Sequence, residues 1–239
     1  MKRIIGIGAE PYAAVIIEMI ERAGIFEVPE LLNDDDSITV RTVRGIAVTG
    51  RSEVIPKLME RVGIRDFFMG LSSPLSREKR RELFQYAIAC GLTPHSIVHP
   101  RAIIAGSASL GRGSCILAGA IISTQCQLGE NVTVNIGAMV ESDCIIRDHV
   151  QLGAGCCVGC GTFIGEGTYI GNGAYVQPHV HIGENVVIGP GAIIEHDVAD
   201  GQEVPGAQRS SPAQPGPKTP RKTKFFGLIE ANQRVAVNS

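Results

Sequence analysis

The sequence predicts two architectures in one chain: a small α/β domain with a parallel sheet, followed by a parallel β-helix. Three observations carry this. From Val98 to Ile194 every sixth residue is Leu, Ile or Val, seventeen positions without a slip of phase, among them Ile116, Val134, Leu152, Ile170 and Ile188. Two residues before each of these, after the first, stands a residue no larger than valine, such as Ala120, Cys126, Ala138, Cys156 or Ala174. The segment before the repeat instead alternates β-branched runs with amphipathic stretches, the pattern of strands and helices sharing a parallel sheet.

A period of six fits neither a lone helix nor an ordinary hairpin array. It fits short strands that each turn one large and one small side chain inward and then bend. Three such hexapeptides make a triangular coil of about 18 residues, and coils stack ~4.8 Å apart. Glycine often follows the aliphatic residue, as at Gly111, Gly153 and Gly165. These glycines are expected to supply positive φ at the corners.

Upstream, residues 3–7 read as a buried strand running into Gly6-Ile7-Gly8-Ala9-Glu10-Pro11-Tyr12, and a helix is expected from Pro11 to Ala23. A glycine turn between strand and helix is where doubly wound folds bind phosphates. Here Pro11 replaces the third glycine of the dinucleotide fingerprint. A short apolar run ends at Leu31-Leu32-Asn33-Asp34, followed by strand-like pieces at 38–43 and 46–48. Ser52 is placed to cap a helix reaching Val62; 66–71 reads as a strand and 76–90 as a charged helix stopped by Gly91. Residues 93–98 then feed the repeat through His99-Pro100. The expected domains are 1–95, 96–207, and a 208–239 tail made of a proline-rich basic linker and an apolar docking segment.

With 239 residues, 44% hydrophobic and a formal charge of −2, the chain suggests a partner that is neither nucleic acid nor an anionic membrane. No apolar run is long enough to span a bilayer, so the expected compartment is the cytoplasm. Cys126, Cys144 and Cys156 fall on the small inward slot and read as packing. The Cys157/Cys160 pair lacks the second ligand pair of a zinc site, and no metal is expected.

The hexapeptide pattern resembles the left-handed β-helix acyltransferases. With the α/β domain and the Ile97-Val98-His99-Pro100 junction, residues 1–207 look like the nucleotide-sugar N-acetyltransferases often grouped with sialic acid O-acetyltransferases. The resemblance includes Leu32-Asn33-Asp34-Asp35, Val134-Asn135-Ile136-Gly137-Ala138, Asp143-Cys144-Ile145-Ile146-Arg147-Asp148-His149-Val150 and Val204-Pro205-Gly206-Ala207. It implies a Rossmann-like N-terminal domain binding the nucleotide sugar, acetyl-CoA as cosubstrate between adjacent β-helices, and a homotrimer. The implied reaction moves acetyl from the thioester to a sugar amino or hydroxyl group.

The resemblance also assigns residues. The catalytic corner falls on Ser142 and Asp143, with His149 as the nearest ring; CoA contacts fall on Gln151, Asn172 and Pro190; and sugar-nucleotide contacts fall on Gly8, Glu10, Pro11, Tyr12, Asn33, Asp34 and Ser72. Three of these depart from the family pattern. Ser142 stands where the family has its histidine base, Gln151 where a second histidine contacts the acetyl group, and Glu10-Pro11-Tyr12 where a Ser/Gly-Gly-His loop meets the nucleotide. Serine is no general base at neutral pH, and losing a positioned base costs about 10²–10⁴ in rate. His149 lies on another side of the coil, where it is expected to face an adjacent subunit. Glu195-His196-Asp197 repeats the dyad pattern three coils above Ser142, and His179 stacks two coils above Asp143. Two readings stay open: an acetyltransferase with altered catalysis, and a lapsed relative serving as a scaffold or regulatory binding module.

Overall fold

The first strand, β1 (Lys2–Ile7), is an isoleucine-rich run whose last four residues are buried, so it takes the centre of a sheet. A computed structural model describes residues 1–72 and 76–207. The proline-rich linker and docking segment expected at 208–239 lie outside the described residues. After β1 come α1 (Pro11–Ala23), β2 (Phe26–Glu27), β3 (Glu30–Leu32), β4 (Thr42–Val43), β5 (Ile46–Gly50), α2 (Ile55–Val62), β6 (Asp66–Met69), α3 (Arg77–Ala89) and β7 (Thr93–Pro94). Strand order is β4-β5-β3-β1-β6-β7, with β2 beside the start of β1. All pairs are parallel except the β4–β5 hairpin, whose turn places Arg44 and Gly45 at positive φ.

Alternation divides the two faces of this sheet. Ile5, Ile7, Phe67 and Met69 pack with Leu58, Leu83 and Phe84 from α2 and α3. Ile4, Leu31 and Phe68 pack with Ile16, Ile17 and Ile20 of α1. Helix α1 begins at Pro11, as expected, and ends on the left-handed Gly24. The strand expected at 38–43 shrinks to Thr42–Val43. The Asn33 side chain donates to the carbonyls of Asp35 (2.7 Å) and Ile38 (3.3 Å), which bends the segment into a turn.

From Ile97 the chain forms parallel two-residue strands stacked as a β-helix, pairing with the strand 18 residues on, as Val134 with Leu152 and Leu152 with Ile170, until the last coil, where Val187 pairs with Glu203. The aliphatic and small columns are both buried. Where the small slot is polar, its group donates to the carbonyl fifteen residues ahead: Ser114 to Gly129, Cys126 to Glu141, Cys144 to Gly159, Thr162 to Gln177, Thr168 to Gly183. These five inward hydroxyls and thiols are thereby satisfied in an apolar core. Burial pushes the Cys144 and Cys156 thiols up to about 12.

The glycines do a different job from the one expected. Those that follow the aliphatic residue have ordinary φ; a Cβ on Gly165 would stand 2.5 Å from the Gly183 carbonyl carbon in the next coil. They permit close approach of coils. Positive φ falls two residues later, on glycines such as Gly155 and on Gln125, Asn131, Asp143, His149, His179 and Asn185.

The three sheets of the β-helix differ outside. On one, Cys115, Thr133 and Gln151 point out yet are buried, because the α/β domain packs there. On a second, the outward row is Ile103, Ile121, Met139, Cys157, Tyr175 and Ile193, with Ile103 63% and Ile193 67% exposed. Adding one methyl where coils touch strains both: Gly165→Ala lowers stability by about 1–3 kcal/mol, read as a fall in the urea midpoint.

Candidate functional site

Docking of the α/β domain on the β-helix creates a cavity of about 330 Å³ lined by Glu10, Pro11, Tyr12, Ser72, Thr133, Asn135, Gln151, Leu152, Gly153, Tyr169 and Asn172. The turn after β1 supplies one wall. Gly8, at φ +104, comes so close to Leu71 that a Cβ would lie 2.5 Å from that side chain. Glu10 follows in extended conformation just ahead of α1, and its carboxylate accepts the Ser72 N–H at 2.9 Å. The β-helix supplies the other wall through Thr133, Gln151 and Tyr169, which lie in register on successive coils.

Behind the cavity sits Arg80 of α3, 1% exposed. It donates to the Asn131 carbonyl at 2.7 Å and the Thr133 hydroxyl at 3.1 Å. Burial pulls its pKa down to about 10, while neighbouring Tyr12, Cys115 and Glu10 act in the opposite sense. Tyr12 is pushed well above its ordinary value by burial, then by Cys115. Cys115 rises to about 12 for the same first reason. Among the described residues, the Gln151 amide nitrogen and oxygen are buried without hydrogen-bond partners.

Six of the expected site residues, Glu10, Pro11, Tyr12, Ser72, Gln151 and Asn172, meet in this cavity. The others do not. Asp34 accepts from the Ser52 N–H and hydroxyl and lines a separate cavity of about 370 Å³ with Asp35, Asp36, Leu71, Ser76, Lys79 and Leu83. Beside it, Asn33 Oδ1 is buried without a partner among the described residues. Pro190 is exposed, its carbonyl taking the Ala207 N–H. Ser142 and Asp143 occupy the corner between the Met139–Val140 and Ile145–Ile146 strands, away from the docked face. Among the described residues, no side chain hydrogen-bonds the Ser142 hydroxyl, while Glu141 accepts the Cys160 N–H at 3.0 Å.

The histidines are placed differently from expectation. His149, rather than facing outward to another subunit, meets its own α3: its ring lies 5.5 Å from Phe84, edge to face. Its Nδ1 is 2.9 Å from the Asn131 amide nitrogen, so it accepts there. Burial, then the nearby Arg80 charge, pushes it down to about 4. The reason is the docked domain, which covers this corner. The His179 ring folds down onto Gly161, where a Cβ would stand 2.5 Å from Nδ1. Asp197 accepts the His181 N–H at 2.7 Å and closes the last coils, leaving His196 exposed.

Arg80, Thr133 and Tyr169 escaped the sequence reading. Stepping 18 residues either way from Gln151 would have found Thr133 and Tyr169; Arg80 shares one helical face with Leu83, Phe84 and Ala87, a spacing that marks it as buried.

Bacterial transferase hexapeptide (six repeats) is the family that matches, over residues 161–196. Among solved structures, a histidine-to-alanine mutant of GDP-perosamine N-acetyl transferase from Caulobacter crescentus, in complex with CoA and GDP-perosamine, has 28% identity and a TM-score of 0.80, covering 86% of this chain and 94% of that one. The acetyltransferase domain of PglB from Neisseria gonorrhoeae, in complex with acetyl coenzyme A, has 29% identity and a TM-score of 0.76 over 86% and 96%. WeeI from Acinetobacter baumannii, at 21% identity, a TM-score of 0.72 and coverage of 86% and 97%, shares the fold. No curated protein matches. Among the described residues no helix is long and apolar enough to cross a membrane.

A pH dependence follows from His149. Its native value near 4 lies below the unfolded value near 6.5, so the unfolded chain binds more protons between them. The contribution is complete above pH 6.5 and is lost as pH falls toward 4. The urea midpoint should therefore drop from pH 7 to 5, and His149→Asn should flatten that drop.

Proposed function

We propose that this chain is an acetyl-CoA-dependent acetyltransferase acting on an amino or hydroxyl group of a nucleotide-linked sugar, with catalysis altered from its relatives by Ser142. The observation that carries the reading is the likeness to a transferase holding CoA and GDP-perosamine, which runs through 86% of the chain and includes both domains. The cavity at the junction of those domains supports it. In this reading the Rossmann-like domain, residues 1–95, holds the nucleotide sugar and the left-handed β-helix, residues 96–207, holds acetyl-CoA. A positioned cavity brings donor and acceptor together, which is itself a large part of acyl-transfer catalysis.

The working form is a homotrimer. An outward row of Ile103, Ile121, Met139, Tyr175 and Ile193 is too continuous an apolar strip for a surface that stays in water. Light scattering should give three times the 25.4 kDa chain mass, and Met139→Asp should shift it toward that of one chain.

Among the described residues no ring or carboxylate is bonded to Ser142, which favours a second reading, a scaffold that no longer turns over. Thiol release from acetyl-CoA with a UDP-4-amino sugar decides between them. The wild type is expected to release thiol. If neither it nor Ser142→His turns over or binds acetyl-CoA, the enzyme reading fails and the scaffold stands.

A further inference from the structure

Where α3 crosses the β-helix, one corner leaves a gap that packing does not fill. Asn131, His149, Gly167 and Asn185 stack there at 18-residue spacing, each at a φ between +55° and +69°. Of the four, only Gly167 lacks a side chain, so space opens between His149 and Asn185. The gap measures about 70 Å³ and is lined by Arg77, Glu78, Arg81, His149, Gly167 and Asn185. A Cβ on Gly167 would stand 2.6 Å from Asn185 Oδ1 and 3.7 Å from Arg81 Nη1, inside this space.

Positive charge dominates the gap. Arg77 and Arg81 are half-buried, one turn apart on the same face of α3. Arg77 donates to the Gly167 carbonyl at 3.1 Å. Arg81 reaches Asn185 Oδ1 at 3.4 Å and Glu166 at 3.7 Å, long contacts for a guanidinium. Glu78 is the one carboxylate of the lining, and it is exposed, so water and salt screen its charge more than theirs. His149 carries its N–H on Nε2, because Nδ1 accepts from Asn131. Burial first, then the Arg80 charge, keep a second proton off this ring; Arg81 acts in the same sense and Asp148 in the opposite one. Like charges at the Arg77–Arg81 spacing destabilise a helix, and an anion held between them reverses the sign.

We propose that this gap binds one tetrahedral oxyanion, a phosphate group, between the Arg77 and Arg81 guanidiniums. Planar forks of N–H donors match phosphate oxygens, and half-burial preserves the attraction against salt. A water in the liquid takes about 30 Å³, so the gap admits a group of phosphate size but no sugar or base. The phosphate is either the free ion or the terminal group of a larger molecule, such as the 3′-phosphate of CoA. Either one ties α3 to the corner column of the β-helix and so fastens the docking that shapes the junction cavity. The site stands whether or not the chain transfers acetyl groups.

Calorimetry with inorganic phosphate, at constant ionic strength set with chloride, tests the site. The wild type should bind one phosphate per chain with a Kd of about 1 mM or tighter. Phosphate, and not chloride, should raise its melting temperature. Arg77→Gln and Arg81→Gln should each weaken binding at least about tenfold. Arg22→Gln, which breaks an exposed pair with Glu18 on α1, should leave it unchanged. Melts in chloride establish that the three variants fold. Phosphate displaced by CoA but not by dephospho-CoA identifies the 3′-phosphate as the source; displacement by neither, or by both alike, identifies the free ion. Absence of saturable binding to the wild type, or binding that both Arg77→Gln and Arg81→Gln leave unchanged, overturns the proposal.

Discussion

The spacing between neighbouring coils, ~4.8 Å as for any paired strands, is the constraint on which this molecule depends. It makes residue i the permanent neighbour of i + 18, as in Val134, Leu152 and Ile170. A large and a small inward residue alternate because a triangular core of that height has room for no more. Polar residues enter the small slot only when short enough to reach the carbonyl fifteen positions ahead, as Ser114 and Thr168 do. The residue after each aliphatic one lies so close to the next coil that glycine is favoured there.

The same columns organise the site. Cys115, Thr133 and Gln151 stand one above another on the face where the α/β domain docks, so their burial is set by a partner far away in sequence. Arg80 ties the two parts together by reaching from α3 to the Asn131 carbonyl and the Thr133 hydroxyl. A buried guanidinium is held in place by such bonds, not by a surface ion pair. The docking thus builds the cavity, buries Arg80 behind it and disfavours the charged form of His149 in one arrangement.

Periodicity made the β-helix readable because a six-residue repeat has one physical solution. Helix α1 was equally legible, since Pro11 and Gly24 mark its two ends. What could not be read were facts that need two distant segments at once. The glycine after each aliphatic residue looked like a corner device because a linear pattern cannot tell a clash between coils from a demand for positive φ. His149 looked outward because nothing in its hexapeptide names the face that α3 covers. The strand expected from Ile38 failed for a local reason, a side-chain bond from Asn33 that competes with pairing. Glu10 and Gln151, 141 positions apart in the numbering, come together only through the docked interface.

The regular ladder of 18-residue pairings bears on how the chain assembles. Every coil added after the first closes a loop of the same length, so the chain entropy lost is equal at each step. Contacts run only to the coils above and below, the condition for stepwise growth in either direction. The coils around Ile97 to Gln151 carry the buried contacts with α1 and α3, while Arg77 and Arg81 of α3 reach later coils only at their surface, at Gly167 and Asn185. Growth is therefore cheapest to begin there, and the domain that shapes the cavity also marks where the column starts to wind.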